Sequence, residues 1–249
     1  MNLYDNSRTV ANENQILSDF QNRSLDCYQH YTHQKNLKYA AHPRSCFDLF
    51  RVENPKKTLV FIHGGYWQWC DKSDFAFIAP DVLAQQCDCV LLEYDLAPHS
   101  TLSNIVEQIQ KALDFIQQQT WCTEHVVLVG HSAGAHLAAQ HLGHEMVSSA
   151  VLISGIYDLT PIQNTHLNQA LQLSQKEICN YSPLQQQHAF HKPYSIIYGA
   201  LELDELKWQS QHYFQHRQKI EPDQVSLLVC KDENHYSILQ HYFKDIFKA

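Results

Sequence analysis

Glycine is scarce in this chain. Seven residues of 249 are Gly, under half the usual ~7%. Long apolar runs are missing too: none approaches the ~18 residues that suggest a bilayer span, which argues against a membrane protein. There is no basic run, and 18 Lys and Arg stand against 26 Asp and Glu for a formal net charge of −8. A balance of that sign makes nucleic acid and anionic membrane poor partners. The first residues, Met1-Asn2-Leu3-Tyr4-Asp5-Asn6, lack the basic-then-apolar pattern of a secretion signal, so the expected location is the cytoplasm. No C-x-x-C and no H-E-x-x-H occurs. The eight cysteines therefore read as small buried thiols rather than a disulfide or zinc framework. The 17 histidines, with His136, His141 and His144 close together on one helical stretch, lack metal-ligand spacing. No metal and no cofactor is expected.

What is present is a core and a rhythm. Hydrophobic residues make up 44% of the chain, enough for one packed domain spanning 1–249. A polar helical stretch is expected over 12–33, followed by two short strands, Lys38–Ala41 and Cys46–Val52, as a leading hairpin. Apolar strand-like runs then recur at Thr58–His63, Cys89–Tyr94, Val126–Gly130, Ala150–Ser154, Ser195–Tyr198 and Val225–Cys230. Helical stretches intervene at about 73–86, 101–119, 132–143, 204–219 and 236–248. Runs such as Leu59-Val60-Phe61-Ile62 are apolar throughout, as strands covered on both faces are. The class is α/β, with a mostly parallel central sheet and helices on both faces. Residues 157–193 interrupt the rhythm with a Gln-rich insertion too long for an ordinary connection; a small helical cap is expected there.

The glycines sit at 64, 65, 130, 134, 143, 155 and 199, and several directly follow strands. Gly130-His131-Ser132-Ala133-Gly134 fits G-x-S-x-G between an apolar strand and a helical run, the context of a nucleophile elbow. Such a turn strains the serine backbone and presents its hydroxyl at a helix N-terminus. His63-Gly64-Gly65-Tyr66-Trp67 follows another strand, and its glycines free backbone N–H groups to face a developing oxyanion. The N–H groups of Gly64, Gly65 and Ala133 are the candidate donors. A serine nucleophile needs a histidine base and an orienting carboxylate, in the chain order Ser, acid, His for this topology. His235, in a loop before the last helix, is the candidate base, and His241 falls inside that helix. Glu202, Asp204 and Glu205 all follow the strand ending at Gly199. The loop position favours Glu202, while Asp204 and Glu205 suit the charge of a helix N-terminus.

With these motifs goes a wider set: Leu96-Ala97-Pro98, Gly130 through Ala138, Ser154-Gly155-Ile156-Tyr157-Asp158-Leu159, Ser182-Pro183-Leu184, Gln209-Ser210 and Asn234-His235-Tyr236. On them the chain resembles the α/β-hydrolases and, within that fold, the kynurenine formamidase (arylformamidase) group, from about residue 55 onward. In that group the acid stands three residues after the strand-ending glycine and seven before a Gln-Ser pair. Both spacings fall on Glu202, with Asp204 as the substitute. The resemblance implies metal-free hydrolysis of N-formyl-L-kynurenine to kynurenine and formate by a Ser132-His235-Glu202 triad through a formyl-enzyme. It also implies a small-molecule aryl formamide or ester substrate, and it leaves monomer and homodimer both open. Tyr66 and Trp67, with Trp69, are the candidate aromatic wall for an aryl leaving group. A broad-specificity carboxylesterase for short acyl esters would share the same residues; an inactive hydrolase fold kept as a binding module usually loses the nucleophile or the base, and here both are present in order.

Overall fold

Side chains along each central strand alternate between two apolar layers, and that alternation builds the sheet seen in the computed structural model, which describes residues 3–244. Leu59 and Phe61 pack on one face; Val60 and Ile62 pack on the other. The strands are β1 (His33–Lys38), β2 (Cys46–Phe50), β3 (Lys57–Ile62), β4 (Cys87–Leu92), β5 (Val126–His131), β6 (Val147–Ile153), β7 (Tyr194–Gly199) and β8 (Val225–Cys230). The helices are α1 (Glu13–His30), α2 (Ala79–Leu83), α3 (Leu102–Gln117), α4 (Ala133–Gln140), α5 (Asn168–Leu171), α6 (Gln175–Tyr181), α7 (Asp204–Ile220) and α8 (Ser237–Tyr242).

The eight strands form one sheet in the order β1-β2-β4-β3-β5-β6-β7-β8. Strand β2 runs antiparallel to both neighbours, and β3 to β8 pair in parallel. The chain lays β4 on one side of β3 and then crosses back to place β5 on the other. Open α/β sheets hold their ligand crevice at such a reversal, beyond the carboxyl ends of the strands. Ile62 pairs with Gly130, so the turns leaving β3 and β5 emerge level with each other.

Helix α3 turns Ile105, Ile109, Ala112, Leu113 and Ile116 fully into one layer, the apolar stripe visible in its sequence. Helices α1, α2 and α8 supply the other layer through residues such as Phe20, Val82 and Leu239. Two local expectations are corrected. The first hairpin strand is His33–Lys38, several residues earlier than expected. The stretch expected as one helix over 73–86 is a 3-10 helix, Lys72–Ile78, followed by the short α2. Pro80 lies in the first turn of α2, where the missing N–H costs nothing and the fixed φ suits a helix start. The last helix is described only to Tyr242, so the expectation for 245–248 lies outside the described residues.

All eight cysteines carry free thiols, and burial pushes Cys87 up to about 12. The three clustered histidines each have their own partner: His136 donates to Tyr181 O, His141 to Leu137 O, and His144 pairs with Asp114. Burial lowers His136 and His141 to about 4, so both are neutral. Among the described residues no helix is long and apolar enough to cross a membrane.

Candidate active site

Ser132 leaves β5 at φ +57° and ψ −120°, a conformation that L side chains rarely adopt and that persists only where its surroundings hold it. Two glycines do the holding. A Cβ at Gly130 would lie 2.2 Å from Gly134 O, and one at Gly134 would lie 2.0 Å from Ile62 O. Strand and helix therefore approach at a distance only glycine permits. The Ser132 N–H donates to Ile153 O at 2.8 Å, which ties the turn to β6. The serine makes no side-chain cap to α4, so its hydroxyl has no structural duty in the helix.

The turn after β3 lies against this serine. A Cβ on Gly64 would sit 3.0 Å from both Ser132 Cβ and His131 O. Gly65 adopts φ +102°, and a Cβ there would meet Trp69 O at 2.2 Å. Among the described residues no backbone carbonyl takes the N–H of Gly64 or Gly65. Ala133 is the first residue of α4, where an N–H has no intrahelical acceptor. His63 Nδ1 bonds Gly64 O at 2.8 Å and Nε2 faces Glu93 Oε1 at 3.0 Å, while Tyr94 stacks on the ring at 4.4 Å. A carbonyl only accepts, so Nδ1–H is the donor that fixes this peptide.

Glu202 and His235 meet across the exits of β7 and β8. His235 Nδ1 lies 3.0 Å from Glu202 Oε2, and both residues are buried. The other carboxylate oxygen accepts from Gly199 N–H at 2.6 Å and from Ser154 Oγ at 2.7 Å. Gly199 is essential to that crossing, because a Cβ there would lie 2.2 Å from Glu233 O. Asp204 stands elsewhere: its side chain is wholly exposed and pairs with Lys207. Nothing is described of the side chain of His241.

His131, the variable residue of the nucleophile motif, bonds His235 O through Nε2 at 3.0 Å, with the two rings 4.6 Å apart. Burial first, then the neighbouring His235, holds its pKa well below the ordinary value. It is therefore neutral and donates from Nε2 to the carbonyl, anchoring the loop of His235. Neither this role nor that of Ser154 was visible in the sequence, because each depends on which strand exits are neighbours.

Ser132, His235, Gly64 and Gly65 line one cavity of about 490 Å³. Tyr66 lines it too, donating its hydroxyl proton to Tyr4 O at 2.7 Å. Trp67 does not. It is fully buried, edge-on to His136 at 5.0 Å, because left-handed φ values at both Tyr66 and Trp67 (49° and 58°) turn its ring into the core. Trp69, half exposed, stands against Tyr66 at the cavity edge instead. The insertion 157–193 is helical, with α5, α6 and two 3-10 turns. It contributes only His166 and Leu167 to the cavity. Tyr4, Asp5, Asn6, Glu13, Leu17 and Phe20 of the amino-terminal segment also line it, although the sequence marks only 12–33 there, as a polar helix.

Residues 59–208 match a family described by its alpha/beta hydrolase fold. The kynurenine formamidase of Salmo salar is 30% identical over 195 residues, covering 73% of this chain and 66% of that protein. The match thus spans just under two thirds of the salmon enzyme. The kynurenine formamidase of Drosophila melanogaster is 28% identical over 219 residues, covering 79% of this chain and 73% of its own length. Among solved structures, a candidate thioesterase from Silicibacter sp. TM1040 superposes with a TM-score of 0.86 at 24% identity, covering 97% of this chain and 93% of that one.

Proposed function

Since this chain belongs to the alpha/beta hydrolase fold family, we propose that it is a serine hydrolase of aryl formamides whose substrate is N-formyl-L-kynurenine. The observation that carries this reading is the buried 3.0 Å pair of His235 and Glu202, whose histidine lines the same cavity as the strained Ser132. The similarity to fish and insect kynurenine formamidases supports the choice of substrate.

In this mechanism Ser132 Oγ attacks the formyl carbon while His235 Nε2 takes the hydroxyl proton. Glu202 keeps the proton of Nδ1 in place, so that Nε2 is the basic nitrogen. The carbonyl oxygen becomes an oxyanion and accepts from the N–H groups of Gly64, Gly65 and Ala133. Collapse breaks the C–N bond, and His235 delivers its proton to the departing arylamine. Water then attacks the formyl-enzyme with His235 as base, and formate and free Ser132 result. Tyr66, Trp69 and Phe75 give the aryl group apolar surface within the cavity.

The test compares kcat/KM for N-formyl-L-kynurenine with that for a short-chain p-nitrophenyl ester. Turnover of the formamide is expected. Rapid ester hydrolysis without it would replace this reading with a broad-specificity carboxylesterase, which needs the same three residues. A second expectation concerns the turn after β3. Gly65→Ala forces a Cβ onto Trp69 O and should lower kcat by about 10²- to 10³-fold, the cost of a displaced oxyanion donor. Steady-state kinetics on a variant whose circular dichroism matches wild type checks it; unchanged kcat would separate this turn from the chemistry.

A further inference from the structure

The part of the cavity lined by the amino-terminal segment has a chemistry of its own. Asp5 and Glu13 line it, and no Lys or Arg does among the described residues. Among the described residues neither carboxylate has an ion pair. Ser7 Oγ donates to Asp5 Oδ1, and Tyr236 OH donates to Glu13 Oε1. Oδ2 of Asp5 and Oε2 of Glu13 take no hydrogen bond among the described residues. The two carboxylates act on the same neighbours: the phenols of Tyr66 and Tyr236 are raised, first by burial, and Asp5 and Glu13 both add to the rise.

Asn6, between them in sequence and 7% exposed, also lines the cavity. Its Nδ2 donates to Tyr66 OH at 3.0 Å. Because Tyr66 gives its own proton to Tyr4 O, its oxygen must accept, and this fixes which way the Asn6 amide points. Oδ1 is left as a buried acceptor with no partner. Buried polar atoms are rarely left so, and an orphan acceptor asks for a donor that is absent here. Two carboxylates and an unpaired amide oxygen on one wall thus offer acceptors and negative charge, without a cation to match.

We propose that Asp5, Asn6 and Glu13 recognise an ammonium group on the part of the substrate remote from the scissile acyl bond, and so select cationic over neutral substrates. The proposal rests on the hydrolase reading for its substrates, and it agrees with the α-ammonium of N-formyl-L-kynurenine. An ammonium brings three N–H donors and one positive charge, the complement of this wall.

A matched ester pair tests it: 4-(aminomethyl)phenyl acetate against its neutral isostere 4-ethylphenyl acetate. Wild type is expected to favour the cationic ester by about tenfold or more in kcat/KM, as charge-assisted hydrogen bonds do. Asp5→Asn with Glu13→Gln should bring the ratio towards one. Asp19→Asn with Asp26→Asn, two exposed acids outside the cavity, removes the same net charge and should keep the ratio. A wild-type ratio near one, or a ratio that survives the Asp5/Glu13 pair, overturns the proposal. Equilibrium binding of benzylammonium chloride and of benzyl alcohol to wild type, read by calorimetry, needs neither turnover nor a folded variant. Preference for the cation with no hydrolysis of any ester or formamide would sink the hydrolase reading and keep the wall. Hydrolysis with equal binding of the two probes would do the reverse.

Discussion

Ser132→Ala is expected to lower kcat by about 10⁶-fold on every substrate the protein hydrolyses, the loss seen when a triad acts as one unit. The size follows from geometry. The hydroxyl is the one atom group of residue 132 that the fold does not use, since it caps no helix and the backbone alone ties the turn to β6 through the bond to Ile153 O. Alanine keeps the Cβ that packs near Gly64 and meets the same left-handed strain as serine. The variant should therefore melt at nearly the wild-type temperature while losing its chemistry. Residual turnover of about 10³- to 10⁴-fold over water would remain from the oxyanion donors and binding alone. Steady-state assays alongside thermal denaturation decide the matter. A variant with a substantial fraction of wild-type kcat would mean that another group supplies the nucleophile.

The second large effect is expected at the acid. Glu202→Gln should lower kcat by about 10⁴-fold, as loss of the orienting carboxylate does in triads of this kind. Glu202 is an acceptor on both oxygens, towards His235 Nδ1 on one side and towards Gly199 N–H and Ser154 Oγ on the other. An amide offers one oxygen only. If its NH₂ faces His235, the imidazole must carry its proton on Nε2 and can no longer accept one from Ser132. If it faces Gly199, two donors oppose each other in a buried site. Asp204→Asn should leave turnover unchanged, because that side chain is fully exposed and bound to Lys207. Kinetics on the two variants side by side separate the candidates. Retained activity in Glu202→Gln with loss in Asp204→Asn would reassign the acid.

Much of this site can be read from the chain because it is built from turns at strand ends. G-x-S-x-G, the glycine pair after β3 and the Asn-His loop after β8 are local signals, and the parallel α/β order fixes where they meet. Distance from Gly199 favours Glu202 over Asp204, and in the helix that begins at Asp204 the two later acids turn elsewhere: Asp204 to solvent and Lys207, Glu205 to Tyr4 and Gln209. The rest is decided by contacts distant in sequence. Nothing local says that residues 4–20 cross to the mouth of the cavity, since Tyr4 O and Asn6 find Tyr66 only through the folded chain. Trp67 misleads for a different reason: it follows the oxyanion turn directly, but two consecutive left-handed residues reverse its direction. His131 sits inside the most legible motif, yet its anchoring of His235 spans 104 positions.

The close crossing at Gly199 also bears on how such a site can be altered. With Glu233 O where a methyl group would have to go, the segments bearing the acid and the base are interlocked. Neither can be lengthened, shortened or retuned without dragging the other along. Redesign of specificity in this scaffold is thus steered away from those two segments and towards its amino-terminal flank, where the walls of the cavity can change while the reacting groups stay put.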